Sequence, residues 1–365
     1  MKKFEYADEQ ISDKQILIAV PSFVIGIGVL SLPKYIASVT TASDGWVALL
    51  IGGIIAMVIT WSVAKLSARF PNQSFFTYSS AIVTRPIAMM LTFLFSCLSM
   101  GITALQIRQI ADISKHYLLK ETPVEVISFT FLLLIIYAVA GSRTALFRLN
   151  TMFLPFVLFV AVIVIVFNIK WMHPSFLLPA FETDLTSYFD AVKSSVLSYA
   201  GFGILWFYIT LVKKPEKTPQ LAVIGMCIPI LLYFALYLTC ILVFGTSVTA
   251  NLQYPTVELA KIVEIPGGIL ERFESLFFVI WIMAIFNTTS MALDIAVLAL
   301  QSIFKNTAKV ILIFIITPII YIAGMLPQEL VQVSQFSSFI GYSSVLYTAF
   351  VVILLSIIAK IRKVK

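Results

Sequence analysis

The segment VIGIGVLSLP, residues 24–33, decides the fold, because it interrupts a long apolar stretch with residues that suit a regular helix poorly. Gly26 and Gly28 weaken a helix through their conformational freedom, and Pro33 has no backbone N–H. Backbone groups freed inside a bilayer find no water to bind, so a break there needs other partners. The segment therefore predicts either close helix packing or a binding site within a membrane.

The rest of the chain has the composition of a polytopic membrane protein. Its 365 residues are 60% hydrophobic and 12% charged, against roughly 45–50% and 25% in soluble domains. Uncharged apolar runs of about 18 or more residues predict membrane-spanning helices. We predict an all-α fold with about ten spans, at 14–37, 45–68, 86–108, 124–141, 151–169, 191–211, 221–244, 272–298, 307–325 and 337–359.

The distribution of basic residues predicts the orientation. If the N-terminus is cytoplasmic, about two-thirds of the 25 Lys and Arg residues fall on the cytoplasmic side, as the positive-inside rule requires. Both termini, 1–13 and 360–365, are then cytoplasmic. The polar first 15 residues lack the apolar core of a signal peptide, so the first span is expected to be retained. The net charge of +7 is thus a topology signal, and no nucleic-acid partner is predicted.

Residues that carry catalytic or metal chemistry are sparse. Cys97, Cys227 and Cys240 lie in apolar segments, and His116 and His173 have no ligand-like spacing. We recognise no nucleophile–base pair and no phosphate-binding loop. We therefore expect no metal, no cofactor and no enzymatic activity.

A second break, SYAGFG at 198–203, falls within span 6. The broken spans 1 and 6 then open two five-span halves, 14–169 and 191–359, whose orientations are opposite because five is odd. Paired breaks at corresponding positions indicate a transporter-type site, in which helix N-termini favour a carboxylate and freed carbonyls favour an ammonium. We predict a five-plus-five inverted repeat in a single integral membrane domain. For GIG alone, close helix packing remains the alternative.

Several segments resemble the spore germination permease family, and the resemblance covers essentially the whole chain. They are GIGVLSLP (26–33), DGW (44–46), LLKETPVEVI (118–127), YPT (254–256) and IPGGILERFESLFFVIW (265–281). Family members are the B-type membrane subunits of nutrient germinant receptors. The resemblance implies an amino acid–polyamine–organocation (LeuT-like) fold and A-type and C-type partner subunits in the spore inner membrane. It also implies a small nutrient ligand such as an amino acid.

Two positions depart from the pattern of that family. Its members often carry a glutamate just after the Gly-Phe or Gly-Met pair of span 6, where this chain has Gly203. Another acidic residue is common in span 3, where this chain has Gln106. A cationic group on the ligand would find fewer carboxylates here, which favours a more apolar or less basic ligand.

The candidate ligand site combines both breaks with positions in spans 3 and 8. Asn287, Ser290 and Asp294 share one helix face, and Asp294 is either a functional intramembrane charge or reaches cytoplasmic water. Tyr199 and Phe202 flank the second break and either close over a ligand or serve packing. The predicted ligand contacts are Val24, Ile25, Gly26, Ile27, Gly28, Gly101, Gln106, Tyr199, Ala200, Gly201, Phe202, Gly203 and Asn287, and the predicted ion or coupling residues are Thr288, Ser290 and Asp294.

Two loop segments carry expectations of their own. The aromatic residues of RFPNQSFFTYSSAIVTR, 69–85, predict an interfacial helix. Glu271, Arg272 and Glu274 either mark the start of span 8, where acidic residues favour the helix dipole, or contact an extracytoplasmic partner.

Three functions are considered from the sequence, and we predict the first of them, with the second as its alternative. The first is a receptor subunit that senses a nutrient at mid-membrane and reports a shift of the helical bundle to its partners. The second is an ion-coupled amino acid transporter. The missing acidic residues in spans 3 and 6 argue against its coupling to protons. The third is an ion channel, for which we recognise neither charge rings nor a filter motif.

Overall fold

The computed structural model describes residues 10–26, 28–263 and 273–362, and its elements are helices joined by turns and loops, the longest of the described ones being residues 168–184. In the described chain one isolated bridge pairs Ile11 with Val212. The described α-helices are α1 (Asp13–Val24), α2 (Gly28–Val39), α3 (Gly45–Ala68), α4 (Phe75–Ile82), α5 (Arg85–Tyr117), α6 (Val124–Ala140), α7 (Arg143–Phe167), α8 (Leu185–Ser198), α9 (Leu205–Tyr208), α10 (Thr218–Asn251), α11 (Pro255–Ile262), α12 (Phe273–Ile303), α13 (Lys309–Met325) and α14 (Leu330–Ile361).

The apolar helices match the ten predicted spans. Seven helical segments of the described chain are long and apolar enough to cross a membrane, and α1 with α2, bent by 57°, makes an eighth. The apolar helices α6 and α13 have 17 residues each, close to the minimum of about 17 that a span requires. The second predicted break is also present, because α8 ends at Ser198 and a 3₁₀ turn (Phe202–Ile204) precedes α9.

Several predicted spans were too short. Helix α5 continues to Tyr117, α7 begins at Arg143, and α14 begins at Leu330. Helix α10 continues to Asn251 across a kink at Gly245, whose φ of 74° and ψ of 167° are not helical. These helices extend beyond the apolar stretch, and hydropathy marks the apolar part alone.

The order of elements in the first half recurs in the second. The pair α1–α2, then α3, α4, α5, α6 and α7 correspond to α8–α9, then α10, α11, α12, α13 and α14. Equivalent helices pack together, α3 against α10 and α5 against α12. We call the side on which α1 begins the N-terminal face and the opposite side the distal face. The eight-residue helices α4 and α11 occupy equivalent places on opposite faces.

Helix α4 is the helix predicted at the membrane interface, but its aromatic residues face the protein. Phe75 and Tyr78 are fully buried. The Phe75 ring lies 5.2 Å from the Trp206 ring and 5.3 Å from the Phe207 ring. Because the end of span 6 presents these large rings, α4 covers them instead of placing its own rings in lipid.

Of the residues expected at the start of span 8, Glu274 lies in α12, whereas Glu271 and Arg272 lie outside the described residues.

Hydrogen bonds to Asp44 connect the loop before α8 to the turn between α2 and α3. Its buried carboxylate accepts hydrogen bonds from the backbone N–H groups of Phe181 and Thr183. Phe181 adopts a φ of 64°, which is costly for a bulky residue, and the carboxylate holds it there. Burial on its own raises the pKa of Asp44, but the hydrogen bonds from the two residues outweigh it and keep this pKa below the usual range.

The lowered pKa of Asp44 predicts a pH dependence of this loop. The hydrogen bonds are fully present above the usual carboxyl pKa of about 3.9 and are lost as the pH falls through the lower folded value. We expect the loop to loosen in that acidic range, and Asp44→Asn to loosen it at pH 7. Hydrogen exchange at the Phe181 and Thr183 amides should then be about tenfold faster. Exposed Asp190→Asn is the control; equal exchange rates in wild type and Asp44→Asn would refute the role of Asp44.

Candidate functional site

A cavity of about 260 Å³ lies where the two broken spans meet. Its wall is formed by parts of α1, α2, α5, α8, α12 and α14 and by the turn that follows α8. The residues expected from the sequence that line this cavity are Val24, Gly26, Gly28, Gln106, Ala200, Gly201, Phe202, Gly203 and Thr288. Both glycine breaks therefore face one common space.

Other residues expected at the site do not line the cavity. Tyr199 is buried and stacks on Tyr233 at 5.3 Å, which is a packing contact. Gly101 faces Ile340, since a Cβ at Gly101 would lie 2.5 Å from the Ile340 Cδ1. Ile25 and Asn287 are buried but do not line the cavity, and the Ser290 hydroxyl donates to the Asn287 carbonyl. Ile27 lies outside the described residues.

The carbonyl groups at the break in span 1 already have partners in the protein. Three side chains of α10 and α12 donate to them: Thr288 to Phe23 (2.9 Å), Tyr233 to Val24 (2.7 Å) and Trp281 to Gly26 (3.1 Å). Each of these carbonyls thus accepts a hydrogen bond from the protein, and the expectation that freed carbonyls favour a ligand ammonium stays a prediction. Neighbouring helices satisfy the broken backbone, as is general for non-helical segments at membrane depth.

Helix α14 supplies a polar wall that we did not predict. Small and hydroxyl-bearing residues recur along its cavity face at intervals of three or four: Ser334, Ser337, Ser338, Gly341, Ser344 and Thr348. The signal was present in the sequence, since a one-sided row of hydroxyl groups in an apolar helix is expected to face a protein interior. The site thus depends on span 10, whereas span 8 contributes Thr288.

The cavity opens toward the distal face and is closed on the other side. Tyr35 and Gln109, in the distal parts of α2 and α5, line it, and Tyr35 is 45% exposed. Toward the N-terminal face, the Phe95 ring packs 5.5 Å from the Trp206 ring and 5.1 Å from the Phe207 ring. A ligand therefore has a path from the distal face.

Asp294 belongs to a buried ionic cluster near the N-terminal face. Its carboxylate is fully buried and accepts from the Arg143 Nε at 2.9 and 3.0 Å. The Lys309 Nζ lies 3.6 Å away and the Tyr208 hydroxyl 3.4 Å away. Instead of reaching water, this carboxylate joins α7, α9, α12 and α13.

A comparison with known protein families identifies the family of the chain. The sequence profile described as spore germination protein matches residues 10–333. The chain belongs to the spore germination protein family. Among its relatives in this family, the spore germination protein GerLB of Bacillus cereus is 41% identical over 365 residues, which cover 100% of this chain and 98% of GerLB. The family resemblance predicted from the sequence is thus confirmed, and the chain is a multi-pass membrane protein of this family.

Solved transporter structures share the fold of this family member. MhsT in complex with L-phenylalanine superposes with a TM-score of 0.65 at 16% identity, covering 96% of this chain and 89% of MhsT. A Na⁺-coupled sialic acid symporter in its substrate-bound outward-open state superposes with a TM-score of 0.68 at 12% identity, covering 96% and 80%. The all-α LeuT-like architecture is therefore confirmed, and at these identities the likeness concerns the fold alone.

Proposed function

We propose that this chain is the nutrient-sensing membrane subunit of a germinant receptor. A small nutrient, such as an amino acid, binds in the cavity between the two broken spans. Binding favours one arrangement of the helices, in proportion to its differential affinity for the two states. The observation that carries the proposal is the convergence of both glycine breaks on one cavity in a member of a germination family.

We further propose the setting in which the subunit works. It acts with A-type and C-type subunits in the spore inner membrane, as a single integral domain with halves at 14–169 and 191–359. Both termini, 1–13 and 360–365, are cytoplasmic. In this orientation the cavity opens away from the cytoplasm, on the side from which nutrients reach the spore membrane.

The second candidate function is an ion-coupled amino acid transporter. Its support is the fold shared with ion-coupled and amino acid-binding proteins. The two functions differ in one measurable property, because a transporter accumulates its substrate in the presence of an ion gradient.

A spore experiment separates the two functions. Spores without this gene are compared with a strain complemented by the wild-type gene, and dipicolinate release is recorded across a panel of amino acids, sugars and nucleosides. Uptake of each labelled compound is measured in parallel. We expect the deletion to abolish release in response to at least one nutrient while uptake stays within about twofold. Normal release with collapsed uptake would instead establish the transporter.

A further inference from the structure

The walls of the cavity contain no charged side chain among the described residues. Their polar side-chain groups are hydroxyl groups on α2, α5, α8, α12 and α14 and the carboxamides of Gln106 and Gln109. The exposed Lys193 is not part of the wall, although its Nζ lies 4.7 Å from the centre of the ring of the wall residue Tyr342. The described wall itself therefore offers no charged side chain that could pair with a ligand of net charge.

Gln106 belongs to this uncharged wall. It lies beside the break in span 1, since a Cβ at Gly26 would approach the Gln106 Nε2 to 3.2 Å. The Gln106 Oε1 is buried and has no hydrogen-bond partner in the structure. A carboxamide carries both a donor and an acceptor, and a buried polar atom without a partner costs free energy. A ligand that supplies the missing hydrogen bond removes that cost.

We propose that the cavity selects a ligand with no net charge and that Gln106 sets this selection. The inference rests on the proposed function of the same site. The ligand class comprises zwitterionic amino acids with uncharged side chains and neutral hydroxyl-bearing molecules such as sugars or nucleosides. Within this class the ligand exchanges hydrogen bonds with Gln106 and with the hydroxyl face of α14.

The electrostatic reason is that the described part of the cavity wall offers no counter-charge to a ligand with a net charge. An isolated charge in a membrane interior or a low-dielectric cavity is strongly disfavoured unless it is paired. The two opposed charges of a zwitterion can instead interact with the oppositely charged ends of the half-helices α2 and α8. The carbonyls of Phe23, Val24 and Gly26 each accept a hydrogen bond within the protein, so an extra cation would have to share them with these donors.

The test uses spores in which a receptor containing this chain is the sole nutrient receptor. Dipicolinate release is titrated with L-glutamine against L-lysine and L-glutamate, and with L-alanine, glucose and inosine as the neutral arms. We expect release with neutral compounds, and half-maximal concentrations at least about 30-fold higher for the charged ones. A response to L-glutamine or L-alanine identifies the neutral ligand as an amino acid, whereas a response to glucose or inosine identifies it as a sugar or a nucleoside.

Substitution at Gln106 tests the assigned residue. Gln106→Glu is expected to raise the half-maximal concentration of the neutral nutrient about tenfold and to lower that of L-lysine by a similar factor. Gln106→Met, which keeps the size but removes the hydrogen bonds, should weaken the neutral response without any gain for L-lysine. The control Gln335→Glu makes the same chemical change at an exposed position of α14 outside the cavity wall and should alter neither response.

The possible outcomes separate this inference from the proposed function. A wild type that responds equally to L-lysine and L-glutamine overturns the neutral selection but leaves the sensing function in place. An unchanged neutral titration in an accumulating Gln106→Glu or Gln106→Met protein overturns the role of Gln106. Wild-type spores that resemble the deletion strain with every compound refute the proposed function and this inference together.

Discussion

Gly201→Leu is expected to weaken dipicolinate release in response to the cognate nutrient while the protein still reaches the spore membrane. A Cβ at Gly201 would lie 2.8 Å from the Phe23 Cδ1 and 2.9 Å from the Val24 Cγ2. Both partners belong to the end of α1 that lines the cavity. The substitution therefore forces the two broken spans apart, and overpacking of this kind costs about 1–3 kcal/mol. We expect the half-maximal nutrient concentration to rise by about 5- to 150-fold, since each 1.4 kcal/mol is a factor of ten.

A second glycine of the same cavity provides the matched comparison. A Cβ at Gly28 would meet no atom within 4 Å. Gly28→Ala is therefore expected to shift the half-maximal concentration by no more than a few-fold, because it requires no displacement. Immunoblots of spore membranes establish that both proteins accumulate. Equal responses from the two variants would show that close approach of the spans at Gly201 does not matter for sensing.

The sequence was sufficient to place both breaks and to predict that they converge. Gly26 and Gly201 are separated by nearly half of the 365-residue chain, yet the inverted repeat brings them to one cavity, as paired breaks predict. The polar wall of α14 was readable but was overlooked, because the hydroxyl groups at Ser337 and Ser344 lie within a helix whose average character is apolar. Periodicity, not mean hydropathy, carries that information.

The partners of individual polar groups could not be deduced in the same way. Trp281 donates to the carbonyl of Gly26 from 255 positions away, and Arg143 binds Asp294 across 151 positions. Such pairs depend on the rotation of each helix about its axis, which tertiary packing sets. Span boundaries failed for a related reason, because polar helix ends are stabilised by tertiary contacts that hydropathy does not record.

The polar features of the molecule divide into two regions. The cavity wall is uncharged in the described chain, whereas the buried ionic cluster of Arg143, Asp294 and Lys309 lies nearer the N-terminal face. Between them stand the aromatic rings of Phe95, Trp206 and Phe207. A ligand in the cavity therefore does not touch the cluster, and substitutions in the two regions should have distinct effects, on nutrient response in one case and on stability in the other.

Asp294→Ala is expected to destabilise the whole protein. It leaves the Arg143 side chain, which is 1% exposed, without its carboxylate partner. Removing one member of a buried ion pair costs about 3–5 kcal/mol, because the remaining charge stays buried. We expect low protein levels in spore membranes, a markedly lower unfolding temperature in detergent, and a response that no nutrient concentration restores. The exposed acid Asp190, changed to Asn, should stay within about 0.5 kcal/mol of wild type.

A double substitution tests whether the cost arises from the uncompensated charge. Arg143→Met with Asp294→Leu removes both charges of the closest pair and fills the space with apolar atoms, an exchange that is often nearly neutral. Lys309 then loses its carboxylate neighbour, but 14% of its side chain is exposed and it can reach water. We therefore expect the double variant to be more stable than Asp294→Ala, with a favourable coupling between the two sites. Additive losses would mean that the residues stabilise the bundle independently, and wild-type stability of Asp294→Ala alone would exclude the cluster as a structural requirement.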